Sequence, residues 1–399
     1  MIRVVGLGLA FHNKTIFEDV NLNINRQEKI GLIGRNGSGK SSFIKLILGQ
    51  LEPDDGKIVI PNHYKIGYLE QHLKFEHDSV IDEMASVLSE ERTYELWKGE
   101  KILQGLGFSD DDILANPNTF SGGNQVKVNL AKLLLLEPDL LLLDEPTNYL
   151  DIHSTKWLKR FLKQWPTELI LITHDRGFMD SIITHTINIH RGLFRKTPGG
   201  TQKIKDQISK EEEIHEKTRG NQEKKRKETQ DWIDRNKAKA STATRAQSKA
   251  KALEKQLVYH KLTDMKHLEF QFSYHPYKSK RPLLTVENLT FAYPDSDILI
   301  KDLSLEISAT DKICVIGKNG KGKSTLLKLI SQVMAVTTGI ITKHDNVHTG
   351  YFGQMNIDRL HSNNTVCEEI QSADQAVSES DVRKTCARVL FSGDDAKKK

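Results

Sequence analysis

Residues 34–41 read Gly34-Arg35-Asn36-Gly37-Ser38-Gly39-Lys40-Ser41, between an apolar run ending at Ile33 and a helical pattern of Phe43, Ile44, Ile47 and Leu48. Strand, glycine-rich loop and helix in that order make a cradle for phosphate. The glycines let the backbone wrap an anion so that successive N–H groups and the helix N-terminus face its charge. Lys40 stands where it would contact the β- and γ-phosphates of a nucleotide, and Ser41 where its hydroxyl would meet Mg²⁺. The context predicts an α/β fold of the P-loop type.

The pattern returns 283 residues later as Gly317-Lys318-Asn319-Gly320-Lys321-Gly322-Lys323-Ser324. The same offset carries Gly67, Tyr68 and Gln71 onto Gly350, Tyr351 and Gln354, and Phe108, Ser109, Asp111 and Asp112 onto Phe391, Ser392, Asp394 and Asp395. A period this long is a duplicated domain and not a solenoid repeat. Candidate nucleotide-binding residues are therefore Gly34, Asn36, Gly37, Gly39, Lys40, Ser41 and Ser42 in the first copy, and Gly317, Asn319, Gly320, Gly322, Lys323, Ser324 and Thr325 in the second.

Within the first copy, Leu140 to Leu143 read as a buried strand that delivers Asp144 and Glu145 at its polar end, a Walker B element. A hard carboxylate oxygen of Asp144 suits Mg²⁺, and Glu145 is placed to orient or deprotonate an attacking water. Ser121-Gly122-Gly123 precedes a helical pattern containing Val128, Leu130 and Leu133. Alone it would be an ordinary Ser N-cap with flexible glycines. Between a P-loop and a Walker B strand it resembles the signature of ATP-binding cassettes. That resemblance implies that His174, after the apolar run Leu169 to Ile172, is the switch histidine at the γ-phosphate, although a lone strand-end His is more often structural. It likewise implies that Gln71 and Gln354 lie near Mg²⁺, and that Phe11 and Tyr293 stack on adenine; either aromatic could equally be a surface residue on a strand.

Two cassettes on one chain, a charged helical segment between them, and Thr147-Asn148-Tyr149-Leu150-Asp151 after Walker B look like the ABC-F family. Asp231-Trp232-Ile233-Asp234-Arg235 and the stretch from Ala240 to Lys251 are similar to that family's inter-domain segment, which in ribosome-bound members points at tRNA. The resemblance implies tandem nucleotide-binding domains at residues 1–197 and 263–399, joined by an α-helical hairpin linker at 198–262. ATP and Mg²⁺ are the implied cofactors, and the ribosome with its tRNA and rRNA the implied partner. The signature departs from the family pattern at Phe120 and Asn124, as does Tyr149, which replaces a customary His.

Charge placement points the same way. From Arg235 to Lys261 there are eight Lys/Arg and one acid, so the window carries +7 while the whole chain of 399 residues carries +5. Arg235, Lys237, Lys239, Arg245, Lys249 and Lys251 are candidates for RNA phosphates, with salt-sensitive and largely sequence-independent affinity. A solvated helix face is the plainer reading. A Ser-Thr-rich patch near Ser241 suits the turn of a hairpin, and the alternation of Leu268, Phe270, Phe272 and Tyr274 predicts a strand opening the second domain.

No apolar stretch approaches the roughly 18 residues of a membrane helix, and Cys314, Cys367 and Cys386 have no metal-ligand spacing. These features lead us to expect a cytoplasmic protein with structural thiols. The offset puts the second signature, Walker B and switch His past residue 399, so the second cassette reads as truncated, its sheet short of two strands and poorly folded alone. Because the family sandwiches nucleotide head to tail, neither composite site would be complete, and weak turnover is expected unless two chains dimerise in trans. A non-catalytic nucleotide-binding module and a transporter's ATPase subunit are the alternatives. The transporter reading leaves the basic arm unused, and chromosome-maintenance ATPases need a far longer coiled coil between their halves.

Overall fold

Ile2, Val4, Leu7 and Leu9 turn inward while Arg3 and Val5 face solvent, and this alternation makes the chain's first segment a strand, β1 (Ile2–Phe11), in the computed structural model. It pairs antiparallel with β2 (Lys14–Ile24) and, beyond β3 (Lys29–Gly34), with β4 (Asp55–Val59). The structure describes residues 1–11, 14–69, 75–236, 243–255, 281–294, 296–345, 347–353, 360–373, 377–391 and 393–399. They fall into two compact units, Met1–Tyr259 and His260–Lys399.

The main sheet of the first unit has six strands. In order these are β5 (Ile66–Tyr68), β6 (Leu140–Asp144), β7 (Glu168–Ile172), β3, β8 (His185–His190) and β9 (Leu193–Pro198). All neighbours are parallel except β8 with β9. Leu140 to Leu143 are fully buried because both faces of β6 are covered, as parallel sheets require. Leu140, Leu142, Ile170 and Ile172 face a core shared with β1, β2 and helix α1 (Lys40–Ile47). Leu141, Leu143, Leu169 and Leu171 face the opposite core, which gathers α2 (Val80–Ala85), α3 (Leu96–Gly105), α4 (Asp110–Leu114), α5 (Gly122–Leu135), α6 (Ile152–Lys163) and α7 (Arg176–Asp180). A period of two along each strand thus divides one leucine run between two cores.

Inside the second core Glu83 is buried on α2, ion-paired with Lys132 of α5 and accepting the backbone N–H groups of Glu76 and His77. After β9 come α8 (Thr201–Asn236) and α9 (Ala243–Lys255), which pack on one another, with Lys249 Nζ 4.3 Å from the Trp232 ring centroid. The root of α8 is tied to the sheet domain. Asp180, the last residue of α7, accepts both the N–H and the hydroxyl of Thr201, at 2.8 and 2.9 Å. Glu212 takes His190 Nε2 at 3.0 Å and Arg191 at 3.2 Å. Ile204 is buried and Ile208, one turn further along α8, is half-buried, so this edge of the helix faces inward. The residues of the turn near Ser241, and Leu268, Phe270, Phe272 and Tyr274, lie outside the described residues.

In the second unit β10 (Leu284–Phe291) runs between β11 (Ile300–Ile307) and β12 (Thr338–Lys343), antiparallel to both. Helix α10 (Lys323–Ile330) packs on this sheet through Leu329, and α11 (Val366–Ala373) meets α12 (Glu379–Arg388), where Cys367 and Cys386 place their sulfurs 3.5 Å apart. Residues 312–317, equivalent to β3, form no strand, and Ile313 and Ile316 are 59% and 70% exposed. In the first unit this strand is flanked by β7 and β8.

Candidate nucleotide site

Gly39 is the N-cap of α1 at φ +97°, and a Cβ there would stand 2.5 Å from the Phe17 ring. Only glycine serves both demands, a left-handed backbone and contact with a buried aromatic. The loop it closes places Lys40 across its own mouth, with Nζ donating to the carbonyls of Gly34 at 2.8 Å and Arg35 at 3.1 Å. The second copy repeats this arrangement: Gly322 is left-handed at φ +81°, and Lys323 Nζ donates to Gly317 and Lys318 at 2.9 and 2.7 Å. Asn36, Gly37, Ser41, Ser42, Asn319, Gly320, Ser324 and Thr325 all belong to these loops or to the helix starts after them.

β6 ends at Asp144, beside the loop. Burial pushes the Asp144 carboxyl above the ordinary carboxylate range, opposed by Lys40 and His174. Burial also pushes the Lys40 ammonium below the usual lysine value, against the pull of Asp144 and Glu145. Two opposite charges kept half out of water have a strong field between them. Glu145 then adopts φ +50°, left-handed for a side chain that rarely takes that conformation, held by its N–H donating to Ile172 O at 2.9 Å. Its Oε1 is buried without a hydrogen bond and lies 3.5 Å from Nε2 of His174, whose side chain is 77% exposed.

Ser121 stands exposed at the N-cap position of α5 without a side-chain capping bond, and Gly122 has nothing within 4 Å of a would-be Cβ, while Gly123 approaches only Tyr149. These three leave the helix N-terminus open, as an anion site requires. Tyr293 follows β10 and binds Thr325, on α10, through its hydroxyl at 3.0 Å, which brings it to the second phosphate loop. Phe11 is exposed at the end of β1. Gln71 and Gln354 lie outside the described residues, as do Lys237 and Lys239, and of the Arg245 side chain the structure describes nothing. Arg235, Lys249 and Lys251 are exposed on the hairpin.

Thr173 escaped the sequence reading. It is buried between β7 and His174, its Oγ1 donates to Glu145 Oε2 at 3.4 Å, lies 3.4 Å from Thr147 Oγ1, and accepts the Asp175 N–H at 3.2 Å. A hydroxyl at the polar end of an otherwise apolar strand was the available signal.

The residues fit a Mg-nucleotide. Ser38 Oγ and Glu145 Oε1 are buried polar atoms without hydrogen bonds, both bordering the phosphate loop and Walker B end. Among the described residues no three His, Cys, Asp or Glu cluster as a metal cage, and Mg²⁺ does not demand one, since it takes one or two protein oxygens and completes its shell with phosphate and water.

Comparison with known proteins agrees with this geometry. A family model described as ABC transporter matches residues 17–148 and again 300–397, and a second with the same description matches 187–272, which includes α8 and α9. The Bacillus subtilis ATP-binding protein YdiF is 32% identical over 443 aligned positions, covering 100% of this chain and 68% of that protein. ABC transporter F family member 5 of Arabidopsis thaliana is 30% identical, covering 98% of this chain and 63% of that protein. Among solved structures, the ATP-binding subunit of an ABC transporter aligns at 26% identity over 52% of this chain and 93% of that chain, with a TM-score of 0.46. With a cassette match on each side of the linker and an F-family relative along nearly its whole length, the chain belongs to the ABC-F family of ATP-binding-cassette ATPases.

Proposed function

We propose that this ABC-F ATPase acts on the ribosome in the cytoplasm, where ATP binding and hydrolysis close its two cassettes and move the basic hairpin against tRNA or ribosomal RNA. The observation that carries the ribosomal part is the hairpin itself: α8 and α9 present Arg235, Lys249 and Lys251 to solvent in a window of net +7, on a chain of net +5. No helix among the described residues is long and apolar enough to cross a membrane.

In the first cassette the N–H groups of residues 34–41 and Lys40 hold the β- and γ-phosphates, with Phe11 at adenine. Ser41 and Asp144, with Gln71, would hold Mg²⁺, which when bound neutralises charge on the phosphate oxygens. Glu145 orients a water through Oε1 and takes its proton as the water oxygen attacks the γ-phosphorus and ADP leaves. His174, beside that carboxylate, stabilises the transferring phosphoryl group. In the second cassette Gly317 to Thr325, Gln354 and Tyr293 take the corresponding places; Ser121, Gly122 and Gly123 leave the start of α5 open for a nucleotide phosphate.

The test is ATP hydrolysis by the purified chain with and without ribosomes, beside a Glu145→Gln variant. We expect ribosomes to stimulate turnover and the substitution to remove it by about a hundredfold or more. Turnover indifferent to ribosomes would refute the ribosomal role. ATP binding with no turnover in either protein would favour the non-catalytic nucleotide module instead.

A further inference from the structure

Glu145 has two carboxylate oxygens in unlike surroundings. Oε1 is buried, accepts no hydrogen bond and faces His174 Nε2 at 3.5 Å, whereas Oε2 is met by the Thr173 hydroxyl at 3.4 Å. A threonine hydroxyl has one proton to give and two lone pairs to receive with. Around Thr173 each has a partner. The Asp175 N–H occupies one lone pair at 3.2 Å, and Thr147 Oγ1 stands 3.4 Å away. With the Thr173 proton directed at the carboxylate, Thr147 must be the donor of its pair. The chain of hydroxyls therefore runs one way, from Thr147 through Thr173 to Glu145 Oε2, and each bond polarises the next. Bonds of this length at catalytic groups tighten in the Michaelis complex.

Backbone geometry adds to this. Glu145 sits at φ +50°, a backbone conformation that its surroundings and not its own preference must hold. Thr173 is buried and joins three pieces of chain at one atom: the Walker B end, the Thr147 segment after it, and the loop carrying His174 and Asp175.

We propose that Thr173 is a positioning residue for hydrolysis, anchoring Glu145 Oε2 so that Oε1 alone is presented to the attacking water. This rests on the reading of Glu145 as the group that activates water. Thr173 touches no reacting atom; it works through the carboxylate and gives the His174 loop a fixed distance from it.

Steady-state ATP hydrolysis and the affinity for a fluorescent ATP analogue are measured for the wild-type chain, Glu145→Gln, Thr173→Val and Thr173→Ser. Valine keeps the shape and removes the hydroxyl, so kcat falls about tenfold while KM and analogue affinity stay within about twofold. Serine restores the hydroxyl and most of the rate. Wild-type turnover in Thr173→Val, or a Thr173→Ser protein as slow as the valine variant, overturns the proposal and leaves the role of Glu145 intact. If Thr173→Val has no cooperative melt, Thr147→Val decides: losing the donor that orients the Thr173 hydroxyl lowers kcat a few-fold at unchanged KM, and an unchanged kcat overturns the proposal. Wild-type turnover no faster than Glu145→Gln overturns the reading of Glu145 and the proposal together.

Discussion

Glu83 shows what a single side chain contributes when buried between helices. Burial alone would raise its carboxyl, but hydrogen bonds from Lys132 and from the backbone of His77 and Glu76 outweigh that and hold it below the ordinary glutamate value. A folded-state value below the unfolded one means stability present above about pH 4.3 and lost as pH falls through the lower folded value. Glu83→Gln should therefore lower stability by on the order of 1–3 kcal/mol at pH 7, with the gap to wild type closing below pH 4. Urea denaturation at a series of pH values reads this, and a constant gap would contradict it. Nothing in the sequence marks Glu83, because its partner Lys132 is far along the chain on another helix. Gly39 was legible at once: a spaced glycine motif carries its left-handed backbone in its own pattern. Thr173 lies between these cases, visible as a polar strand end but meaningful only once Glu145 and Thr147 stand beside it.

Strand β6 was legible as a buried strand, since four consecutive leucines before two acids suit a strand covered on both faces. Which leucine meets which core follows from its period of two. Leu142, fully buried among Ile170, Phe43 and Leu140, should cost about 2–5 kcal/mol on replacement by Ala, read as a fall in melting temperature. Residues 312–317 teach the complement. Lys312-Ile313-Cys314-Val315-Ile316-Gly317 has the same pattern as Lys29-Ile30-Gly31-Leu32-Ile33-Gly34, yet only the latter is a strand. A strand's N–H and C=O groups need neighbours to pair with, and β3 has them in β7 and β8. The phosphate loop after each segment is nonetheless alike, because its shape depends on glycines and on a lysine bonding its own loop. The helices of the arm were legible from their charged composition and the family resemblance, whereas their attachment through Asp180 and Glu212 was not.

At the scale of the molecule, duplication and charge were the readable features. An offset of 283 aligns two phosphate loops, and a basic window of +7 sits on a chain of +5. If that window meets RNA phosphates, replacing Arg235, Lys249 and Lys251 together by Gln should weaken ribosome binding and flatten its dependence on salt. The log–log slope should drop by roughly 2, from about 0.7–0.9 for each phosphate that is no longer neutralised. Co-sedimentation over a range of salt measures both, and an unchanged slope would assign these residues to a solvated face. The bond between Asp180 and Thr201 adds a mechanical consequence. Asp175, next to His174, caps one end of the five-residue α7, and Asp180 at the other end grips the first residue of α8. From Glu212 outward α8 runs on to Asn236, a stiff rod of roughly 36 Å at 1.5 Å per residue. A tilt of about 10° about Glu212 swings the tip by about 6 Å, close to the rise of one helical turn, and asks for about 3 Å at Thr201 on the inner end of the helix, so a movement of the histidine loop passed to α8 would reach the arm's end about doubled, as a displacement the size of a nucleotide step.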